Sequence, residues 1–420
     1  MTSSSPDPAD SFAHLLAEIR ALYGPGPIPL HRPVFEGNER QYLVDCIDSN
    51  FVSSVGAQVT AFEERIAAFT GAGFAVATVN GTAALQVALQ LAGVGPESEV
   101  ITQALTFVAT CNAVRYNGAW PVFVDVDRDT LGLSPAALRN FLAGYGERRA
   151  DGVYNRASGR RLAACVPMHT CGLPGRIQEI VALCNDWGIP VVEDAAESLG
   201  SWVELAPSPL AGEGGGRGGK AATAPHPPGP GWRHTGTFGR LGTLSFNGNK
   251  IITTGGGGMI ITDDAALAAR AKHLTTTAKI PHPYDFMHDE LGFNFRLPNL
   301  NAALGCAQLE RLPDMLAVKA RIAARYAALL SEGPIRLIPP LAGTRPNHWL
   351  NAVLLDSAAE RDALLAYSNA QGVMTRPLWR LMHRLPMYAD CQQDGLENSL
   401  WLEARVVNVP SSVPEGWMGE

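Results

Sequence analysis

The chain has 420 residues, 46% of them hydrophobic and 17% charged, so it can bury a large core and should form one large domain plus a smaller one. Lys and Arg number 33 against 40 Asp and Glu, a net charge of −7 with no basic block, which speaks against general attraction to nucleic acid or an anionic membrane. The seven cysteines are scattered and lack the paired CxxC spacing of zinc sites, no apolar run reaches the roughly 18 residues of a membrane span, and the start lacks a charged-then-apolar leader, so a cytoplasmic protein without metal is expected.

Residues 11–23 carry apolar side chains at helical spacing and end in Gly24-Pro-Gly-Pro-Ile-Pro; residues 1–57 are read as an N-terminal arm with a substrate loop at 51–56. From residue 58 helical stretches alternate with short β-rich runs at 74–79, 99–101, 121–126, 163–167, 190–193, 243–246 and 259–262. That alternation predicts an α/β fold, a mostly parallel sheet covered on both faces, over a large domain at 58–316. Gly172-Leu-Pro-Gly175 opens a helix through Trp187. Residues 204–231 are dominated by Gly, Pro, Ala and Ser with no regular apolar spacing, and read as a flexible surface insertion. Helical stretches at 299–316 and 318–330 lead to a strand at 349–355 and a helix at 358–371, a small C-terminal α/β domain over 317–420.

Four strand ends carry chemistry. Lys250 follows an apolar strand on a glycine-bounded loop, where an amine can be held and sheltered enough to act as a Schiff-base lysine; an isolated lysine is more often a solvated charge. Asp194 ends the run Val191-Val-Glu-Asp, at the carboxyl edge where ligands of open sheets bind. Its carboxylate suits a protonated ring nitrogen, and it would serve equally as a helix N-cap. Glu197 stands one helical turn beyond, facing either a ligand or the helix start. Asn80-Gly81-Thr82 joins a strand to a helix whose first amides could take a phosphate, and the alternative is an ordinary capped helix. Neither Gly-Lys-Ser/Thr nor GxGxxG is present there, so a nucleotide-triphosphate or dinucleotide loop is not read. Phe107, at a loop-to-helix junction, could stack on a planar ring or fill the core. An amine, a carboxylate, a phosphate cradle and a stacking ring together describe a site for pyridoxal 5′-phosphate.

The motifs Ile28-Pro-Leu-His-Arg-Pro, Asn80-Gly-Thr-Ala-Ala-Leu, Glu193-Asp-Ala-Ala-Glu-Ser, Ser245-Phe-Asn-Gly-Asn-Lys250 and Gly292-Phe-Asn-Phe-Arg-Leu-Pro-Asn resemble, over nearly the whole chain, the DegT/StrS sugar aminotransferases, fold-type I pyridoxal phosphate enzymes. The resemblance implies that Lys250 is the Schiff-base lysine, Asp194 the partner of the pyridine nitrogen and Phe107 the stacking ring. It also implies that Gly81, Thr82 and Ser245 hold the phosphate, and that Asn294 reaches the phosphate of a neighbouring subunit, hence a homodimer with shared active sites. Phe51-Val-Ser-Ser-Val-Gly56, Asn347-His-Trp-Leu-Asn351 and Thr375-Arg-Pro-Leu-Trp379 look like the legionaminic-acid-type branch, whose members aminate C4 of UDP-linked 4-keto-6-deoxy-N-acetylhexosamines from glutamate in surface-polysaccharide or nonulosonic acid biosynthesis. Amination of the GDP-linked 4-keto sugar to perosamine is the alternative. A dehydratase of the same fold would carry histidine at 250, and a catalytically silent sugar-responsive regulator would not need the full set of cofactor residues. For sugar contacts Ser54, His169, Arg376 and His383 are expected.

Overall fold

In the computed structural model, which describes residues 8–205 and 228–418, the seven β-rich runs all become strands. They are β1 (Phe74–Thr78), β2 (Ser98–Gln103), β3 (Trp120–Val124), β4 (Arg161–Val166), β5 (Val192–Asp194), β6 (Leu241–Ser245) and β7 (Gly258–Thr262). Hydrogen bonding orders them as β1-β7-β6-β5 and β4-β2-β3, and the parallel bridges Cys165↔Val191 and Met168↔Asp194 join β4 to β5 into one layer. Within this layer β7 alone runs antiparallel to its neighbours. The layer is therefore mostly parallel, and its parallel strands deliver their carboxyl ends to one edge.

Both faces are covered, as the near-continuous apolar strands require. Successive residues of β2 show the alternation: Val100 joins a core with Leu85, Val87 and Leu89, while Ile101 joins one with Leu138, Phe141 and Ile180. Each such side chain, fully buried, contributes about 1.5–3 kcal/mol.

Helix α1 (Pro8–Tyr23) precedes the layer; α2 (Gly81–Leu91), α3 (Val108–Tyr116) and α4 (Ile177–Trp187) follow β1, β2 and β4. The two helical stretches expected near the C-terminal third are one helix, α5 (Asn299–Leu329), which runs through Pro313 and through the expected boundary at 316. Its buried side Leu309, Leu312, Met315, Leu316 and Val318 is continuous, so packing outweighs the one hydrogen bond that proline removes. Helix α6 (Ala358–Ala370) accompanies a second, four-stranded antiparallel sheet in the order Arg336–Leu337, Asn351–Leu354, Val406–Val409, Arg376–Pro377. The N-terminal segment is fastened to α6 and the turn that follows it: Phe12 meets Tyr367 at 6.1 Å between ring centroids, and Ile28 bridges Val373.

Of the Gly/Pro-rich insertion, 206–227 lies outside the described residues; its flanks Trp202–Glu204 and Trp232–His234 pair antiparallel. All seven cysteines are buried and unpaired. Among the described residues no helix is long and apolar enough to cross a membrane.

Candidate active site

The turn after β1 is shaped by contacts on three sides. Asn80 caps α2, its Oδ1 accepting the Ala83 N–H at 2.8 Å, and its backbone carbonyl accepts the Ala84 N–H. The Gly81 and Thr82 amides are left as the helix's free donors, at the end where the helix dipole favours an anion. Gly258 of β7 lets this turn come close, because a Cβ there would lie 2.4 Å from the Asn80 carbonyl. A Cβ on Gly81 would meet the Ser245 side chain at 3.0 Å, so Ser245, the last residue of β6, closes the cradle.

The acidic pair ending β5 is split by strand alternation. Glu193 turns away from the carboxyl-edge cavity and accepts the N–H groups of Gly236 (2.8 Å) and Gly239 (2.6 Å) together with His169 Nε2 (3.0 Å). His169 Nδ1 accepts from the Gly175 N–H, so the ring proton sits on Nε2 and is donated to Glu193. His169, read from the sequence as a sugar contact, has both ring nitrogens engaged, is buried and is not among the residues that line the cavity.

Asp194 faces the cavity instead. Its Oδ2 accepts from Thr110 Oγ1 at 2.7 Å and its Oδ1 from the Ala196 N–H at 3.2 Å. It thus stabilises the following turn, as a cap would, and still lines the cavity; residues 195–197 form a turn rather than the expected helix start. Burial pushes its carboxyl above the usual range, opposed by Thr110, the Ala196 amide and the charge of Lys250. Glu197 is raised by burial in the same way, against Lys250 and the Cys171 amide.

Lys250 extends into this pair of carboxylates. Its Nζ is 3.1 Å from Glu197 Oε1 and lies 4.1 Å from the centroid of the Trp349 ring. Glu197 Oε2 is held by the Cys171 N–H at 2.9 Å, so the carboxylate that meets the amine is itself fixed. Phe107 stands at the start of α3, 48% exposed, with Trp379 beside it at 6.0 Å between centroids.

Lys250, Asp194, Glu197, Gly81, Thr82, Ser245 and Phe107 all line one cavity of about 320 Å³, which lies within the size range of small-molecule sites. Ser54, Asn294, Arg376 and His383 do not line it. Arg376 is exposed and donates to Asn369 Oδ1 and its neighbour's carbonyl; Asn294 is exposed beside Arg296; His383 Nδ1 is buried without a partner. Thr110, Trp349 and Trp379 are site residues that sequence reasoning did not single out. Thr110 had a usable signal, since it lies three residues after Phe107 on the same helical face. The two tryptophans come from the C-terminal region, and nothing local announces that they return to the sheet edge.

A profile of the DegT/DnrJ/EryC1/StrS aminotransferase family matches residues 33–414. EpsN of Bacillus subtilis, described as a pyridoxal phosphate-dependent aminotransferase, is 35% identical over 86% of this chain and 84% of its own. GDP-perosamine synthase of Caulobacter vibrioides is 34% identical over 88% and 89%. The crystal structure of the aminotransferase TlmJ from Streptoalloteichus hindustanus superposes with a TM-score of 0.77 at 27% identity, covering 92% of this chain and 94% of that one. With likeness spanning nearly its whole length, the chain belongs to the DegT/DnrJ/EryC1/StrS aminotransferase family and is a pyridoxal phosphate-dependent sugar aminotransferase of fold type I.

Proposed function

We propose that the protein moves an amino group from glutamate to the 4-keto group of a nucleotide-linked 4-keto-6-deoxyhexose. The observation that carries this reading is the convergence of Lys250, Asp194, the free amides of α2 and Phe107 on one cavity at the carboxyl edge of the sheet. The donor set fits the cofactor: two helix amides and the Ser245 hydroxyl suit a phosphate, Asp194 suits a ring nitrogen, and the half-exposed Phe107 face suits a flat heteroaromatic ring. When bound, pyridoxal phosphate supplies an electron sink for the carbon that loses or gains a proton.

The chain's own residues do the rest. Lys250 Nζ would hold the cofactor and, once freed by the incoming amine, would serve as the base that takes a proton from the substrate carbon and returns it on the cofactor side. Glu197, within hydrogen-bond reach of that Nζ, steers the amine and takes part of its charge. Asp194, with Thr110 holding one oxygen in place, would accept a hydrogen bond from a protonated ring nitrogen and keep it charged. Phe107 and Trp379 form an apolar wall that limits water at the mouth.

A homodimer completes the proposal, with Asn294 of the partner subunit reaching the phosphate and Ser54, Arg376 and His383 available to the sugar. It is supported by the exposed side chains of Tyr284 (87%), Phe286 (77%) and Leu291 (91%), an apolar stretch just before Asn294 that a second subunit would cover.

For the nucleotide, the resemblance of the Asn347-His-Trp-Leu-Asn351 and Thr375-Arg-Pro-Leu-Trp379 stretches favours a UDP-linked N-acetylated sugar, in legionaminic-type or surface-polysaccharide synthesis. The GDP-perosamine synthases among the relatives favour a GDP-linked sugar. Incubating the protein with either 4-keto sugar, and with glutamate or glutamine, tests the reading by following the amino sugar. Glutamate-dependent amination of one of them is expected, and failure with both, on cofactor-loaded protein, would overturn it.

A further inference from the structure

Lys319, in the middle of α5, is 1% exposed and burial alone pulls its amine down to about 7. Among the described residues no carboxylate forms an ion pair with it. A buried ammonium without an anion is costly unless each N–H finds an acceptor. All three do: Nζ donates to His31 Nε2 at 3.0 Å, to the Trp349 carbonyl at 3.2 Å and to the Ser411 carbonyl.

Trp349 is thereby fixed at three atoms. Lys319 holds its carbonyl, its backbone N–H donates to Asn347 Oδ1 at 2.8 Å, and its indole N–H donates to the Asn249 carbonyl at 2.6 Å. Asn347 is itself tied to the carbonyls of Glu197 and Leu199. The indole is therefore bound to the residue before Lys250 and, through Asn347, to the segment that carries Glu197. Its ring then lies 4.1 Å from Lys250 Nζ, in the range of a cation–π contact.

We infer that Lys319 is a positioning residue for Lys250: by locking Trp349 it holds the Lys250 amine against the indole face and within reach of Glu197, poised for the carbonyl carbon of an incoming aldehyde cofactor. This rests on the reading of Lys250 as the cofactor's covalent anchor. A second lysine, outside the cavity lining and one residue behind it, thus governs how fast the first can react.

The test is site-resolved labelling of the full-length apoprotein. It is exposed to substoichiometric pyridoxal phosphate, reduced with borohydride at timed intervals, digested, and the modified lysine quantified by mass spectrometry. In the unmutated protein the label is expected on Lys250; labelling of another lysine removes the anchor reading and this inference with it. In Lys319→Met the rate at Lys250, normalised to the folded fraction, is expected to fall about tenfold, whereas a rate within about twofold of the unmutated protein overturns the inference alone. Normalisation separates this from a loss of stability, which changes the folded fraction but not the rate within it. Should that variant not fold, Trp349→Phe keeps an aromatic ring and loses the indole N–H to Asn249; a fall of about threefold or more is expected, and an unchanged rate overturns the inference.

Discussion

Placing a single methyl group on Gly258 tests where the phosphate is held. Gly258 opens β7 and is paired on both sides, with Thr78 of β1 and Ser245 of β6, so the strand cannot slide to make room. A Cβ there would stand 2.4 Å from the carbonyl carbon and oxygen of Asn80 and 2.7 Å from the Gly81 nitrogen. Ordinary contact begins near 3.4 Å, so about 1 Å of displacement falls on the Asn80–Gly81 turn and on the first amides of α2. Overpacking of this kind costs about 1–3 kcal/mol of stability. Misaligning one hydrogen bond to a charged phosphate costs about 1.5–3 kcal/mol of affinity, a rise in Kd of roughly 10- to 100-fold. Titrating apoprotein with pyridoxal phosphate by absorbance, beside urea unfolding, reads both quantities for Gly258→Ala. The control is Gly248→Ala, whose Cβ has nothing nearer than the Gly255 carbonyl at 4.0 Å. Should Gly258→Ala bind the cofactor as tightly as the control, the phosphate is not held at the start of α2 and the orientation of the site must be redrawn.

Replacing Asp194 by Asn should lower aminotransfer by about 100-fold or more without lowering the stability of the apoprotein at neutral pH. The folded carboxyl lies above its unfolded value, so in the interval between the two the folded state binds more protons and stability falls as pH rises; the amide removes that loss. A clear drop in melting temperature for the variant would contradict this. Lys319→Met should change the pH dependence of unfolding in the opposite sense. With the amine near 7 folded and 10.5 unfolded, the unfolded chain binds more protons between those values, so the unmutated protein gains stability as pH rises through the window. Relative to it, the Met variant is at its best below pH 7 and should lose ground by at most about 1.4 kcal/mol per pH unit above that, measured by urea unfolding at several pH values. A pH-independent difference would mean that the folded protein keeps Lys319 protonated across this window and that burial does not lower its amine.

Much of the site is legible in the sequence because its parts sit at strand ends, where a short pattern determines both the element and its exit. Gly81-Thr82 after β1, Asp194 at the end of β5 and Lys250 after β6 each follow an apolar run that can only be a buried strand, and parallel strands bring those exits to one edge. What is not legible depends on side-chain direction or on distant packing. Period-2 alternation aims Asp194 and Glu193 at opposite sides, and no local signal says which of the two meets a ligand. His169 looks available in the sequence, and only the fold brings Glu193 and the Gly175 amide to its two nitrogens. Trp349, Trp379 and Lys319 come from the segment that follows the sheet, and their role depends on α5 and the C-terminal sheet folding back over the Lys250 loop. The turn at 195–197 resembles a helix start in composition, but the Asn347 side chain captures the carbonyls of Glu197 and Leu199 and holds it as a turn.

The most direct test of the account is the visible absorbance of purified Lys250→Ala beside the unmutated protein, each supplied with pyridoxal phosphate and passed through a desalting column. The unmutated protein should retain the cofactor's band and form 2-oxoglutarate from glutamate, while the variant loses the band and the reaction together. A band that survives unchanged in Lys250→Ala would contradict the assignment of Lys250 as the covalent anchor.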